Sequence, residues 1–213
     1  MKPSRSPWIG PRFDGTVVIL ESAYKNTKPG RSITETGWKD IPVDGPAYLK
    51  QLVRLQFRYR DPVFARVAKA FGEDFDSLWK RVAFFNFVPE LIHGSRGRPT
   101  KSQLRAGRDH FWPVIKLIER KAHRRVRSVV LFSKTCWPRL PEADPQPGGR
   151  DVIRRMGYEL CSYRNAALWC ACLPHPRARG RVVLDMRIAK RAIRELYERS
   201  REAPTAHSVP MER

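Results

Sequence analysis

The chain has 213 residues, of which 41% are hydrophobic and 10% aromatic, and this composition excludes a disordered protein. Lys and Arg number 42 against 21 for Asp and Glu, so the formal net charge is +21. Such an excess indicates a polyanionic partner, although an arginine-rich solvated surface would give the same count. We favour a nucleic-acid partner.

Other features of the sequence narrow the class of protein further. No apolar run approaches the ~18 residues of a membrane span, and the amino terminus lacks the apolar core of a secretory signal. The four cysteines form no CxxC pair, so we expect buried thiols rather than a zinc site. We therefore expect a cytoplasmic protein with no membrane partner, metal or nucleotide cofactor.

Four short runs of β-branched and aromatic residues predict the strands of a sheet. They are TVVILE (16–21), VAFFNF (82–87), SVVLFS (128–133) and LWCACLP (168–174). Each run is continuously apolar rather than alternating, which is typical of parallel strands that are covered on both faces.

Helical patterns separate these runs. They cover 47–59, 61–71, a long stretch that begins near Thr100, and 185–199. Thr100 and Gln103 have the spacing of a capping box, which predicts the start of the long helix. The alternation of strands and helices predicts an α/β fold with right-handed crossovers. We expect one domain over residues 1–202, followed by a disordered tail over 203–213.

Polar side chains stand where three of the predicted strands end. Glu21 and Ser22 follow the first strand, Asn86 lies in the second, and His175 follows the fourth between two prolines. The carboxyl ends of parallel strands share one edge of the sheet, where ligands bind. An amide can read the edge of a planar base, and a histidine can stabilise an anion or move a proton. Taken singly, such an Asn is often a satisfied core group and such a His only a turn residue.

In this order the segments resemble the motifs of the uracil-DNA glycosylase superfamily, over roughly residues 16–182. ILESAY resembles the first motif, and VAFFNFVP with the RPTKSQL helix resembles the base-reading strand and the helix after it. VVLFSKTCW resembles the motif of the third strand, and LPHPRARG resembles the histidine loop. The resemblance implies a three-layer α/β/α sandwich with a four-stranded parallel sheet in the order 2-1-3-4.

The resemblance also implies catalytic roles. His175 would stabilise negative charge on the departing base. Several members of the family have a water-orienting Asp where this chain has Ser22, and Glu21 matches the Glu of other branches. Either Glu21 orients the water, or His175 and the DNA phosphates supply the electrostatic stabilisation with little help.

A base pocket and phosphate contacts are implied as well. Asn86 would hydrogen-bond the edge of the flipped base, with Tyr24 and Phe85 as aromatic neighbours. Tyr24 matches the aromatic residue that excludes thymine in some branches. The residues implied to contact DNA phosphates are Arg177, Arg179 and Lys25.

The expected function is that of a monofunctional DNA glycosylase, acting as a monomer, that flips a base, hydrolyses its N-glycosidic bond and leaves an abasic site. Its target would be uracil or a modified pyrimidine, such as the glucosylated hydroxymethylcytosine of phage DNA in anti-phage defence. A catalytically silent DNA-binding protein on the same fold is the alternative, because Ser22 stands at the position of the Asp. A basic RNA-associated protein would leave the ordered motifs unexplained.

Overall fold

The computed structural model describes residues 7–25, 60–89, 91–93, 98–141, 150–163, 166–176 and 183–202. The predicted helix over 47–59 and the predicted tail over 203–213 lie outside these residues. Arg177 and Arg179, predicted to contact DNA, also lie outside them.

The described residues contain nine strands and four α-helices. The strands are β1 (Trp8–Ile9), β2 (Thr16–Leu20), β3 (Ala23–Lys25), β4 (Val82–Asn86), β5 (Leu91–His93), β6 (Ser128–Phe132), β7 (Arg150–Arg155), β8 (Tyr158–Tyr163) and β9 (Leu168–Cys172). The helices are α1 (Pro62–Phe71), α2 (Phe75–Arg81), α3 (Lys101–Ala122) and α4 (Met186–Glu202). The predicted α/β class is confirmed.

Seven strands form one mixed sheet in the order β1-β4-β2-β6-β9-β8-β7. The four strands predicted from sequence are its parallel centre, β4-β2-β6-β9. A sheet of four parallel strands alone is nevertheless wrong, because β1 at one edge and β8 and β7 at the other pair antiparallel. These strands were missed since β1 has two residues, and neither RDVIRR in β7 nor YELCSY in β8 is continuously apolar. β3 and β5 form a separate parallel pair.

Helices cover both faces of the central sheet. On one face Phe111 of α3 belongs to the same core cluster as Ile19 of β2. On the other face Phe64 of α1 and Leu196 of α4 belong to the cluster that contains Val18. Because successive strand residues point to opposite faces, a single strand contributes to both clusters. The described elements therefore form three layers, with the sheet in the middle.

The capping box at the start of α3 is confirmed. Thr100 Oγ1 accepts a hydrogen bond from the Gln103 backbone N–H at 3.2 Å, and Gln103 Oε1 accepts one from the Thr100 backbone N–H at 2.9 Å. The box satisfies two of the donors that a helix start leaves unpaired, and so it determines where α3 begins after the loop.

The four cysteines, Cys136, Cys161, Cys170 and Cys172, are buried and none forms a disulfide, which confirms the prediction of buried thiols. Burial raises the pKa of Cys136 to about 12, so its thiol stays protonated. Within the part of the chain that the structure describes, no group of His, Cys, Asp and Glu side chains is arranged to hold a metal ion. Among the same residues, no helix has both the length and the apolar character needed to cross a membrane.

Gly107 determines how closely α3 approaches the strand end next to Asn86. A Cβ at this position would lie 2.6 Å from Phe87 Cδ1 and 2.7 Å from the Phe87 carbonyl oxygen. We expect Gly107→Ala to lower the free energy of unfolding by about 1–3 kcal/mol because of this overlap, although Ala is otherwise the better helix former. Urea unfolding would measure the change. Lys116→Ala on the exposed side of α3 is the control, and equal stability of the two variants would contradict the prediction.

Candidate functional site

The carboxyl ends of the parallel strands lie side by side along one edge of the sheet. Leu20, the last residue of β2, is opposite Asn86 of β4 and opposite Phe132 of β6. β9 continues the parallel register on the far side of β6. Polar groups from distant stretches of the chain therefore lie along this edge, which we call the carboxyl edge.

Ser133, which directly follows β6, holds the carboxylate of Glu21. Its Oγ donates to Glu21 Oε2 at 2.7 Å and accepts a hydrogen bond from the Cys136 backbone N–H at 3.1 Å. Ser133 is only 1% exposed, so water does not compete strongly for these bonds. The orientation of Glu21 is therefore determined by the end of the neighbouring strand. Ser133 was not singled out from the sequence, although it is a polar residue at a strand end like the others.

Two polar side chains at the carboxyl edge are nearly buried without hydrogen-bond partners in the described part of the chain. Ser22 is 8% exposed and its Oγ has no partner. Asn86 is 7% exposed, and its amide makes no hydrogen bond to another described residue. The Ser22 hydroxyl is fully buried as well as unpaired, which costs about 1–3 kcal/mol, and native structures contain few such groups. Their presence at a strand end is typical of a site whose partner is a ligand.

The segment that carries His175 is held from two sides. Pro174 and Pro176 are buried, while His175 between them is half-buried. Arg66 of α1 donates from Nη1 to the Pro176 carbonyl oxygen at 2.7 Å. Before the prolines, the Leu173 backbone N–H donates to a carbonyl of β6 at 2.9 Å. His175 is thus presented at the carboxyl edge by backbone that is fixed on both sides. No sequence pattern indicated the contribution of Arg66.

Tyr24 and Lys25 lie in the short strand β3, just beyond the end of β2. β3 pairs in parallel with β5, so that Tyr24 is opposite Ile92 and Lys25 is opposite His93. His93 is therefore the residue opposite Lys25, and it was not among the site residues predicted from the sequence. The strand pair extends the chain past the carboxyl edge of the main sheet.

Phe85 does not lie on the same side of the sheet as Asn86. It is 4% exposed and belongs to the core cluster under α3. Adjacent residues of a strand point to opposite faces, so Asn86 faces away from that cluster. The structure therefore accounts for Phe85 as a core residue, and does not bring it together with the Asn86 amide.

The β7–β8 hairpin brings an exposed apolar side chain to the carboxyl edge. Glu159 of β8 is opposite Cys172, the last residue of β9, so the hairpin turn lies level with the residues that follow β9. Met156 in this turn is 91% exposed. The Tyr158 hydroxyl next to the turn donates to Glu195 Oε2 of α4 at 2.6 Å. A hydrogen bond therefore links the residue after the turn to α4, while the Met156 side chain is exposed to solvent.

A scan against protein-family models found no family that matches the chain, and a search of curated proteins found no match either. The resemblance to the glycosylase superfamily therefore rests on the sequence motifs alone.

Two serine-to-alanine changes at the carboxyl edge should differ in their effect on stability. Ser22→Ala removes an unpartnered hydroxyl, so we expect the free energy of unfolding to stay unchanged or to rise by up to about 1 kcal/mol. Ser133→Ala removes two hydrogen bonds and should lower it by about 1–3 kcal/mol. Urea unfolding of both variants tests this contrast. A loss in Ser22→Ala as large as that in Ser133→Ala would show that the Ser22 hydroxyl is already paired.

Proposed function

We propose that the chain is a DNA glycosylase whose active site is the carboxyl edge. The observation that carries the proposal is that the hydrogen-bonded carboxylate of Glu21, the amide of Asn86 and the half-buried His175 all lie at this edge. The four ordered motifs of the sequence support the same reaction. The formal charge of +21 supports DNA as the partner.

The proposed roles follow from the chemistry of the N-glycosidic bond. The bond between C1′ of the sugar and the base nitrogen breaks, and its electron pair leaves with the base. His175 stabilises the resulting anion through a hydrogen bond, which is the interaction that gains most in the transition state. Water then adds to C1′ and gives up a proton, which passes through solvent to the base anion. Glu21 orients this water, and the bond from Ser133 keeps the carboxylate in place.

Recognition of the base is assigned to Asn86. A side-chain amide has both donor and acceptor atoms, so it can match the edge of a pyrimidine that has been flipped out of the helix. An amide that makes no hydrogen bond to another described residue is suited to this role, since a bound base replaces water rather than an existing bond. The target is uracil or a modified pyrimidine, and a glucosylated cytosine of phage DNA would make the protein a defence enzyme.

Met156 is assigned the role of an apolar wedge. A side chain that enters the space left by a flipped base compensates for lost stacking, and Met is flexible enough to fill an irregular gap. The exposed position of Met156 at the carboxyl edge supports this role.

The second candidate function is a DNA-binding protein without catalytic activity. Ser22 favours it, because a neutral hydroxyl at this position cannot take a proton from water as a carboxylate can. Under this alternative the carboxyl edge binds an extrahelical base but does not release it.

The first test of the proposal is base release from a panel of DNAs, followed by alkali cleavage at abasic sites. The panel contains uracil, thymine mismatches, hypoxanthine, 5-hydroxymethylcytosine and whole glucosylated phage DNA. We expect release from at least one substrate at excess enzyme. His175→Ala and Asn86→Ala should each lower the single-turnover rate at least about 100-fold, since each removes a contact to the reacting base.

Glu198→Gln is the control, because Glu198 is exposed on α4 and lies away from the carboxyl edge. It should leave the rate unchanged. DNA affinity, measured by fluorescence anisotropy, should change little in the two site variants. Wild-type protein that binds every DNA in the panel and releases no base would overturn the proposal in favour of the binding protein.

A second experiment tests the wedge. Met156→Ala should lower base release from duplex DNA about tenfold while leaving release from single-stranded DNA unchanged, because only the duplex has stacking to compensate. Met156→Leu should retain most of the duplex rate. Val152→Ala, at another exposed apolar residue of the hairpin, is the control. An equal loss on duplex and single-stranded DNA would rule out a wedge.

A further inference from the structure

The edge of the sheet opposite the carboxyl edge contains a polar cavity of about 430 Å³. It opens between the starts of β2 and β6 and the end of α4, and we call it the amino-edge pocket. Its polar lining comprises the hydroxyls of Thr16, Ser128, Tyr197 and Ser200, the guanidinium groups of Arg81, Arg124, Arg127 and Arg201, and the carboxylate of Asp14. Four arginines against one carboxylate leave a local excess of positive charge.

The single carboxylate of the pocket is already engaged. Asp14 Oδ1 accepts a hydrogen bond from the Thr16 backbone N–H at 2.8 Å, and its Oδ2 pairs with Arg81. Arg81 also pairs with Glu73, its Nε donating to Oε2 at 3.0 Å. Arg81 and Asp14 therefore neutralise each other within the wall of the pocket. The charge of the remaining arginines is left without an acidic neighbour in the lining.

Arg127 and Arg201 are the arginines most open to a ligand. Both are exposed, and within the described residues neither forms an ion pair or a side-chain hydrogen bond. Arg124 makes one side-chain hydrogen bond, from Nη1 to the Phe13 carbonyl oxygen at 3.1 Å. Its other guanidinium donors bond to no other residue in the described chain. These guanidinium groups border the same concave surface.

Tyr197 adds a neutral donor to the pocket. Its hydroxyl oxygen accepts from Arg81 Nη1 at 3.1 Å and from Thr16 Oγ1 at 3.4 Å. Burial raises the pKa of Tyr197, so the hydroxyl keeps its proton at neutral pH. With both of these bonds made to the oxygen, the proton of Tyr197 is available to a ligand.

We propose that the amino-edge pocket binds a phosphate group, carried by a nucleic acid or by a free nucleotide. Guanidinium groups match phosphate oxygens in geometry and charge, and the pocket has the volume of an ordinary ligand site. A second cleft, lined by Arg12, Lys121, His123 and Arg124, adjoins it through Arg124. The positive surface therefore extends beyond one phosphate, which favours the backbone of a nucleic acid. The site lies at the opposite edge from the base-release site and does not depend on that activity.

Binding of two phosphate probes to charge-matched variants tests the pocket. The pocket variant is Arg127→Gln/Arg201→Gln, and the control is Arg191→Gln/Arg194→Gln, which removes two exposed arginines of α4 outside the pocket. Pyrophosphate is titrated calorimetrically at constant ionic strength. We expect saturable binding to the wild type, at least about tenfold weaker in the pocket variant because two charge-assisted contacts are lost, and within about twofold of wild type in the control.

The second probe is a single-stranded oligonucleotide of roughly eight residues, whose affinity is measured by anisotropy over a series of salt concentrations. If a nucleic-acid backbone occupies the pocket, the slope of log affinity against log salt falls by about 0.7–1.4 in the pocket variant only. An unchanged slope with weakened pyrophosphate binding identifies a free nucleotide or phosphate as the ligand. Equal losses in both double variants, or no difference between the pocket variant and wild type with either probe, overturn the proposal.

Discussion

The pairing of β2 with β4 on one side and β6 on the other is the constraint on which the rest of the structure depends. Val17, Val18 and Ile19 have no exposed surface, because α3 covers one face of the sheet and the other helices cover the opposite face. A shift of β2 by one residue would exchange the side chains that face these two layers, so burial determines the register. Once that register is set, Glu21 and Ser22 can emerge only at the carboxyl edge, beside the ends of β4 and β6.

The carboxyl edge contains two kinds of polar group: groups held by hydrogen bonds from neighbouring elements, and groups without such bonds. Ser133 fixes Glu21, and Arg66 fixes the backbone after His175, each through a hydrogen bond from a neighbouring element. Ser22 and Asn86 are also buried, but the Ser22 hydroxyl has no partner, and the Asn86 amide makes no hydrogen bond to another described residue. A binding site needs both kinds of residue, since the supporting bonds provide rigidity and the unpaired groups provide affinity for a ligand. The unpaired groups make the free protein less stable than its fold would allow.

The elements that could be predicted from the sequence are those determined by residues close together in the chain. The four central strands are continuously apolar because they are covered on both faces, and α3 begins at a capping box that two residues define. The outer strands β1, β7 and β8 depend on the strands they pair with, so no local sequence pattern predicts them. The Glu21–Ser133 hydrogen bond depends on strand register and side-chain rotamers, which the sequence pattern does not give either. The position of Phe85 is different, because its adjacency to Asn86 within a strand already implied opposite faces.

The distribution of carboxylates explains why the charge of the chain remains available to a partner. Asp14 and Glu73 pair with Arg81, and Glu195 accepts hydrogen bonds from Arg155 and Tyr158 of the β7–β8 hairpin and from Arg199 of its own helix. Acidic groups that join elements together cannot also neutralise the arginines of the surface. An excess of positive charge therefore persists at the amino edge and opposes the compact state by self-repulsion. A polyanion that binds the folded chain relieves this repulsion, so binding and stability are coupled through the charge, whatever chemistry takes place at the carboxyl edge.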